Sequence, residues 1–311
     1  MPDRATFLAF AVFVFIGGFN FVAVRFSNRE LAPMFGAGAR FTAGALIFLA
    51  VVAVWRLEMP RGKALVSAVL YGLLNFAASY GLAYWALTTL PAAIGAVIFA
   101  AAPLFTVFLA RVHRIEPFRI RGLVGSLITL AGIVVLANPT GVDRLPWLPL
   151  LAMLASSATA AEAGVVLKLL PSANPVSTNA VAMAIGGGLL LTLSALIGDP
   201  WALPTMTETW LAVSYLALVG SVGLFGLFLF VLRRWSATST SYATALIPVV
   251  TVVGGSLLAS EAITPSMLIG GAIVLAGVYV GALTGKPAAS LQHADLERPD
   301  LERQNFQGRR R

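Results

Sequence analysis

Ten apolar runs organise this chain, each closed by charged or turn-forming residues: Ala5–Val24, Phe35–Val54, Ala64–Leu87, Pro91–Ala110, Gly122–Ala137, Trp147–Leu167, Val176–Ile197, Trp210–Leu232, Ser239–Ala259 and Met267–Leu283. Each is continuous and of a length to cross the hydrocarbon core as a helix, the form in which a backbone satisfies its own hydrogen bonds in lipid. Barrel strands would show as segments of about ten residues with alternating polarity. The pattern therefore predicts an all-α integral membrane protein with ten transmembrane helices. Met1-Pro2-Asp3-Arg4 leads into the first run and Arg25-Phe26-Ser27-Asn28 follows it. No small-residue cleavage site intervenes, so this run reads as a retained helix, not a signal peptide.

Composition agrees. The 311 residues are 59% apolar and 11% charged, with a mean hydropathy of +0.88, against about 25% charged in a soluble domain. The chain has no cysteine, which excludes disulfides, thiolate metal sites and a cysteine nucleophile. The net charge of +8 would suggest nucleic acid in a soluble protein. Here the cations lie between and beyond the apolar runs and set orientation instead. With the N-terminus in the cytoplasm, 17 of the 21 lysines and arginines face inward, Arg25, Arg29 and Arg144 face outward, and Arg40 lies within a span. Both termini are expected in the cytoplasm, and residues 285–311 read as a disordered cytoplasmic tail.

The second half overlays the first at an offset of 145 positions. Pro103 falls on Pro248, Thr106 on Thr251, Glu116 on Glu261, Gly125 on Gly270, and Leu130-Ala131-Gly132 on Leu275-Ala276-Gly277, without a gap. Each half, 5–138 and 147–284, holds five runs. Five is odd, so the second copy enters the membrane upside down relative to the first. Two inverted five-helix repeats are an architecture of secondary transporters, with the substrate site near the midplane and alternating access around it.

The same residues resemble a known family. Gly18-Phe19-Asn20-Phe21 followed by Arg25, Pro33 and Arg40-Phe41 is similar to the opening of an EamA-type member of the drug/metabolite transporter superfamily. So are Tyr80 through Tyr84-Trp85-Ala86-Leu87, Leu90-Pro91-Ala92-Ala93, Pro103-Leu104 and Glu116, closing on Gly122, Gly125 and Gly132. The resemblance covers residues 5–284 and implies a ten-helix, two-repeat carrier exporting amino acids or other small metabolites across the bacterial inner membrane. The bacterial aromatic amino-acid exporters look nearest. The superfamily's small multidrug exporters carry an acid in their first helix, and this chain has none there. The resemblance supplies no catalytic residue.

Polar side chains inside the runs are the candidates for function. Glu162 is the one acid well within a span and is read as a proton-coupling candidate, because a buried carboxylate in lipid is costly; the alternative is a carboxylate near the cytoplasmic end that reaches water or a helix donor. Asn20, Arg40, Asn75, Ser79, Tyr80 and Tyr84 form the expected substrate-binding set. Tyr71, Asn75 and Ser79 share one face of the third helix, with Tyr80 and Tyr84 on an adjoining one, as a polar, aromatic cavity lining or as helix glue. Arg40 is either a partner for a substrate carboxylate or a side chain snorkelling to the interface; for Arg25 and Lys168 snorkelling is the preferred reading. Pro103 and Pro248 are expected to kink both copies alike, as hinges or as static bends. The Gly277–Gly281 pair marks close helix contact, within the bundle in preference to between chains.

The expected partners are thus a small-molecule substrate, amino acids first, and the lipid bilayer, with a functional monomer, no nucleic acid, no cofactor and no metal. A phosphate-ester or nucleotide-sugar antiporter of the same superfamily is the alternative; it would want several cations facing the cavity. An intramembrane enzyme ranks low: His113 reads as a loop residue and His293 as a tail residue, Asp143 and Asp199 fall outside the runs, and no G-x-S-x-G occurs.

Overall fold

The computed structural model describes residues 3–283 apart from 91, 117–119, 138–145, 172 and 260–264. The expected tail and Glu261 lie outside the described residues. Among these the chain is all-helical, without a strand. The helices are α1 (Arg4–Ser27), α2 (Pro33–Val54), α3 (Lys63–Ala86), α4 (Ala92–Val112), α5 (Ile120–Ala137), α6 (Trp147–Leu169), α7 (Pro175–Leu196), α8 (Thr207–Arg234), α9 (Ala237–Ala259) and α10 (Pro265–Val278, continued by a π-helical turn over Tyr279–Leu283). Seven of them, α1–α4 and α6–α8, are long and apolar enough to cross a membrane. Shorter apolar helices, Ile120–Gly132 and Ile269–Gly281, lie in α5 and α10.

Local chemistry sets the helix starts. The Asp3 carboxylate accepts the Thr6 amide at 2.6 Å, and Asn174 Oδ1 accepts the Val176 amide at 2.9 Å, each satisfying an orphan donor of a first turn. Pro33 and Pro175 occupy first helical positions, where the missing N–H costs nothing. In the α4–α5 loop, Glu116 Oε1 accepts the Ala237 amide at 2.6 Å, capping α9 from across the molecule. In the α1–α2 loop, Glu30 accepts the amides of Thr205 and Met206, at 3.0 Å each, and the Thr205 hydroxyl. These bonds, led by the Thr205 hydroxyl and followed by Thr209, hold the Glu30 carboxyl down at about 2.

Small residues govern the packing, as expected where lipid offers no hydrophobic drive between helices. On α5 and α10 the glycines bring backbone against backbone: a Cβ on Gly132 would lie 2.6 Å from the Val274 nitrogen, and one on Gly277 would lie 2.6 Å from the Thr129 nitrogen. The Gly277–Gly281 pair therefore packs within the bundle, against α5. The two contacts exchange under the 145-residue offset, since Gly132 corresponds to Gly277 and Thr129 to Val274. On α2 and α7, Gly187 meets Thr42, its own equivalent, with a Cβ-to-nitrogen distance of 2.8 Å. Whole helices follow the same rule: α1 packs on α8 and α9, and α6 packs on α3 and α4.

The middle helix of each half also widens into π-helix, over Gly72–Ser79 in α3 and Leu218–Gly223 in α8, at corresponding positions. The prolines do not match in this way. Around Pro103 helix α4 is interrupted by a turn at Ala100-Ala101, and a second segment starts at Ala102. The Phe99 carbonyl, which Pro103 cannot engage, accepts the Ser157 hydroxyl of α6 at 2.9 Å. Pro248 sits inside an uninterrupted α9, against which Gly17 and Gly18 of α1 pack closely at Ile247 and Val250. The surroundings of the two prolines thus differ: a neighbouring hydroxyl engages the carbonyl freed at Pro103, while close helix contact flanks Pro248.

Candidate functional site

Helices α1, α3, α4, α6, α8 and α9 enclose a central cavity with about 970 Å³ free of protein atoms, its mouth included. Among the described residues no charged side chain belongs to its lining. Aromatic rings dominate, among them Phe21, Tyr80, Tyr84, Phe99, Phe225 and Phe228. The polar atoms come from Asn20, Asn75 and Ser79, and from the hydroxyls of Thr106 on α4 and Thr240, Ser241 and Thr244 on α9. Such a wall presents neutral donors and acceptors beside ring faces, suited to a small organic molecule.

Of the six expected binding residues, Asn20, Asn75, Ser79, Tyr80 and Tyr84 line this cavity, and Arg40 stands one layer behind it. Arg40 is 1% exposed, so it does not snorkel to an interface. Its Nε donates to Ser221 Oγ at 2.9 Å, its Nη2 to the Gly220 carbonyl at 2.7 Å and its Nη1 to the Tyr84 hydroxyl at 3.2 Å. The guanidinium carbon also lies 5.0 Å from the Phe41 ring centre and 5.1 Å from that of Tyr80. No carboxylate pairs with it among the described residues. Its charge is balanced by dipoles, and the π-helical stretch of α8 provides them: a helix wound i to i+5 there turns its backbone so that Gly220 can accept from both Arg40 and Asn20.

Ser79 has a different role from its neighbours. Its hydroxyl donates to the Ser156 carbonyl at 2.8 Å while the Ser156 hydroxyl donates to the Ser79 carbonyl at 2.8 Å, a reciprocal tie between α3 and α6. Asn75 Nδ2 and Asn20 Oδ1, both buried, have no partner among the described residues, which leaves two amide atoms at the cavity able to meet a ligand. Tyr71 is fully buried outside the lining, packed against Phe76 at 5.1 Å. The expected stripe of Tyr71, Asn75 and Ser79 is therefore broken. The wider π-helical turn changes the angle per residue and brings Asn75, Ser79, Tyr80 and Tyr84 to the cavity together.

Glu162 does not face the cavity. Its neighbours Ala160, Ala161 and Gly164 do, while its Oε1 lies 2.8 Å from His113 Nε2. His113, read from sequence as a loop residue, caps the end of α4 and ties it to α6. No single-helix spacing announces this pair, whose members stand 49 residues apart. The hydroxyls of α9 do carry a sequence signal: Ser236-Ala237-Thr238-Ser239-Thr240-Ser241 is rich in serine and threonine at the start of an apolar helix. Among the described residues no cluster of three or more histidine or acidic side chains could hold a metal ion.

Comparison with known proteins completes the picture. The model of the EamA-like transporter family matches residues 4–138 and again 147–282. A crystal structure with 19% identity superposes with a TM-score of 0.74, covering 91% of this chain and 98% of the other, a likeness of fold. The inner membrane transporter YedA of Escherichia coli (strain K12) is 32% identical over 275 residues, 87% of this chain and 88% of YedA. A protein of Salmonella typhimurium (strain LT2) named "Probable amino-acid metabolite efflux pump" is 26% identical over 292 residues, 90% of this chain and 95% of its own. The S-adenosylmethionine/S-adenosylhomocysteine transporter of Chlamydia trachomatis (serovar L2) is 25% identical over 282 residues, 86% of this chain and 85% of its own. With a multi-pass apolar helical bundle around a cavity, and a family model that matches nearly all of it, the chain belongs to the EamA-like transporter family of the drug/metabolite transporter superfamily and is a membrane transporter.

Proposed function

We propose that this transporter exports neutral amino acids, aromatic ones included, by alternating access around the central cavity. The observation that carries this reading is the uncharged, aromatic, amide-bearing wall with a single cation, Arg40, held just behind it. A zwitterion with an apolar side chain needs one partner for each of its charges and ring faces for the rest. A polyphosphate or nucleotide sugar would need several cations at the wall, so the phosphate-ester reading is disfavoured. The names of the Salmonella and Chlamydia relatives agree in chemical class, since both refer to amino acids or amino-acid derivatives.

The ten-span, inverted-repeat architecture belongs to the same proposal, with repeats at 5–138 and 147–284. It is supported by the glycine contacts that exchange under the 145-residue offset, by the matching π-helical stretches and by the double match of one family model. The charge distribution supports cytoplasmic termini in a bacterial inner membrane, and a cavity lined by one chain supports a functional monomer. Glu162, paired with His113, is the proton-coupling candidate, and the break before Pro103 is the better hinge candidate of the two prolines.

The test is counterflow in proteoliposomes. Preloaded unlabelled phenylalanine or leucine should accelerate uptake of the labelled amino acid, and phosphate esters should not. Exchange of phosphate esters without amino acids would overturn the reading. A reporter fused after Lys286 should report the cytoplasm, and one within the Asp199–Glu208 loop the exterior; opposite signals would overturn the inverted repeat.

A further inference from the structure

A second cavity, with about 700 Å³ free of protein atoms, lies where the last turns of α6 and α8 meet the first turn of α7. It shares the Leu232 wall with the central cavity. Two cations line it, Lys168 and Arg233, together with the hydroxyl-bearing Thr178. Thr178 is 2% exposed, and among the described residues its Oγ1 has no hydrogen-bond partner. A buried hydroxyl left in this way is a donor in want of an acceptor. The guanidinium of Arg233 donates to the Ala173 carbonyl, which holds it over the loop leading into α7. The amino end of α7, a helix of 22 residues, adds partial positive charge to the same place. Glu116 is close enough to act on Lys168, but its Oε1 is already engaged by the Ala237 amide. Leu167, Leu170, Leu229 and Leu232 form an apolar collar around these groups.

At the 145-residue offset Lys168, Thr178 and Arg233 fall on Ala23, Pro33 and Thr88, so this offset pairs neither cation with one in the first half. We propose that this cavity is a phosphate-binding site separate from the transport path. Lys168 and Arg233 would neutralise the anion, and Thr178 Oγ1 would donate to one of its oxygens. On the topology proposed above, the site lies at the cytoplasmic boundary of the bilayer. There the phosphate group can come from an anionic phospholipid whose chains follow the leucine collar, or from inorganic phosphate in the cytoplasm.

The full-length protein, purified in a neutral detergent, would be followed by thermal unfolding against three probes: dihexanoyl phosphatidylglycerol, dihexanoyl phosphatidylcholine and inorganic phosphate. The melting temperature should rise with phosphatidylglycerol or phosphate and not with phosphatidylcholine. Lys168→Met should weaken the apparent affinity by about tenfold, the scale of one lost charged hydrogen bond, and Lys168→Arg should retain it. Thr178→Val removes only the hydroxyl from a packed position and gives the same reading if Lys168→Met does not fold. A response to phosphatidylglycerol alone assigns the site to lipid, and an equal response to phosphate assigns it to the free anion. The proposal is overturned if neither probe exceeds the phosphatidylcholine control, or if the response is unchanged in both Lys168→Met and Thr178→Val.

Discussion

Arg40 Nη1 donates to the Tyr84 hydroxyl at 3.2 Å, so the buried cation of α2 meets the central cavity through a phenol on α3. Tyr84 is both cavity wall and charge relay: its ring faces the ligand space and its oxygen orients the guanidinium behind it. Tyr84→Phe keeps the ring and removes the acceptor. It should destabilise the protein by about 1–3 kcal/mol, the cost of leaving a buried donor to a charged bond unpaired, and change KM more than the maximal rate. Arg40→Met should abolish uptake of substrates with a free carboxylate. Undiminished amino-acid counterflow by folded Arg40→Met would remove Arg40 from the binding set.

Side-chain selectivity should reside in the rings. Tyr80 lies 4.8 Å from Phe41 and 5.8 Å from Phe225, its own repeat equivalent, in edge-on packing. Tyr80→Ala or Tyr84→Ala should weaken transport of phenylalanine relative to alanine by about 1–3 kcal/mol, the usual scale for apolar group discrimination. Competition assays in one vesicle preparation would read the ratio directly. Equal losses for both substrates would point to disrupted packing instead.

The His113–Glu162 pair couples α4 to α6 beside the cavity, a position where a proton could bias one arrangement of these helices. Glu162→Gln should flatten the dependence of net flux on pH while leaving exchange at a single pH close to wild type. His113→Gln should produce the same flattening, because the two side chains share one contact. A pH profile unchanged in both variants would make the pair a structural tie.

Glu30 gives a pH prediction of a different kind. Its carboxyl is held at about 2 against an ordinary 4.5 by hydroxyl and amide donors from the loop before α8. A depressed folded-state value stabilises the fold fully above pH 4.5, and that contribution is lost as pH falls towards 2. The closure of the α1–α2 loop on α8 should therefore loosen across that interval in wild type. Glu30→Gln should melt earlier at neutral pH and show less change between pH 4.5 and pH 2. Thermal unfolding at stepped pH would compare the two.

Much of the scaffold was readable because lipid imposes a simple rule: long apolar runs become helices. The third run was expected over Ala64–Leu87 and the helix spans Lys63–Ala86; the eighth was expected over Trp210–Leu232 and spans Thr207–Arg234. Glycines 125, 132 and 277 were also legible, since their value lies in having no side chain wherever the partner stands. What was not legible depended on partners. The turn at Ala100-Ala101 lies among good helix formers, and its stabilising hydroxyl, Ser157, comes from another helix. The π-helical stretches have no composition of their own; in α8 the stretch is matched through Gly220 to Arg40 and Asn20, 180 and 200 residues away in the other half of the chain. The cavity's α9 hydroxyls were visible as a serine- and threonine-rich stretch, yet only packing aims them inward.

The glycine seam between α5 and α10 also bears on how the molecule is made. A ribosome finishes α5 long before it reaches α10, so the close backbone contacts of Gly125 with Gly281 and of Gly132 with Val274 form only once the last helix is made. Whatever covers that glycine face during the interval must leave it when α10 arrives. Synthesis of α10 thus completes the packing of α5, and a nascent chain stopped after α9 leaves the glycine face of α5 without the backbone contacts of the finished fold.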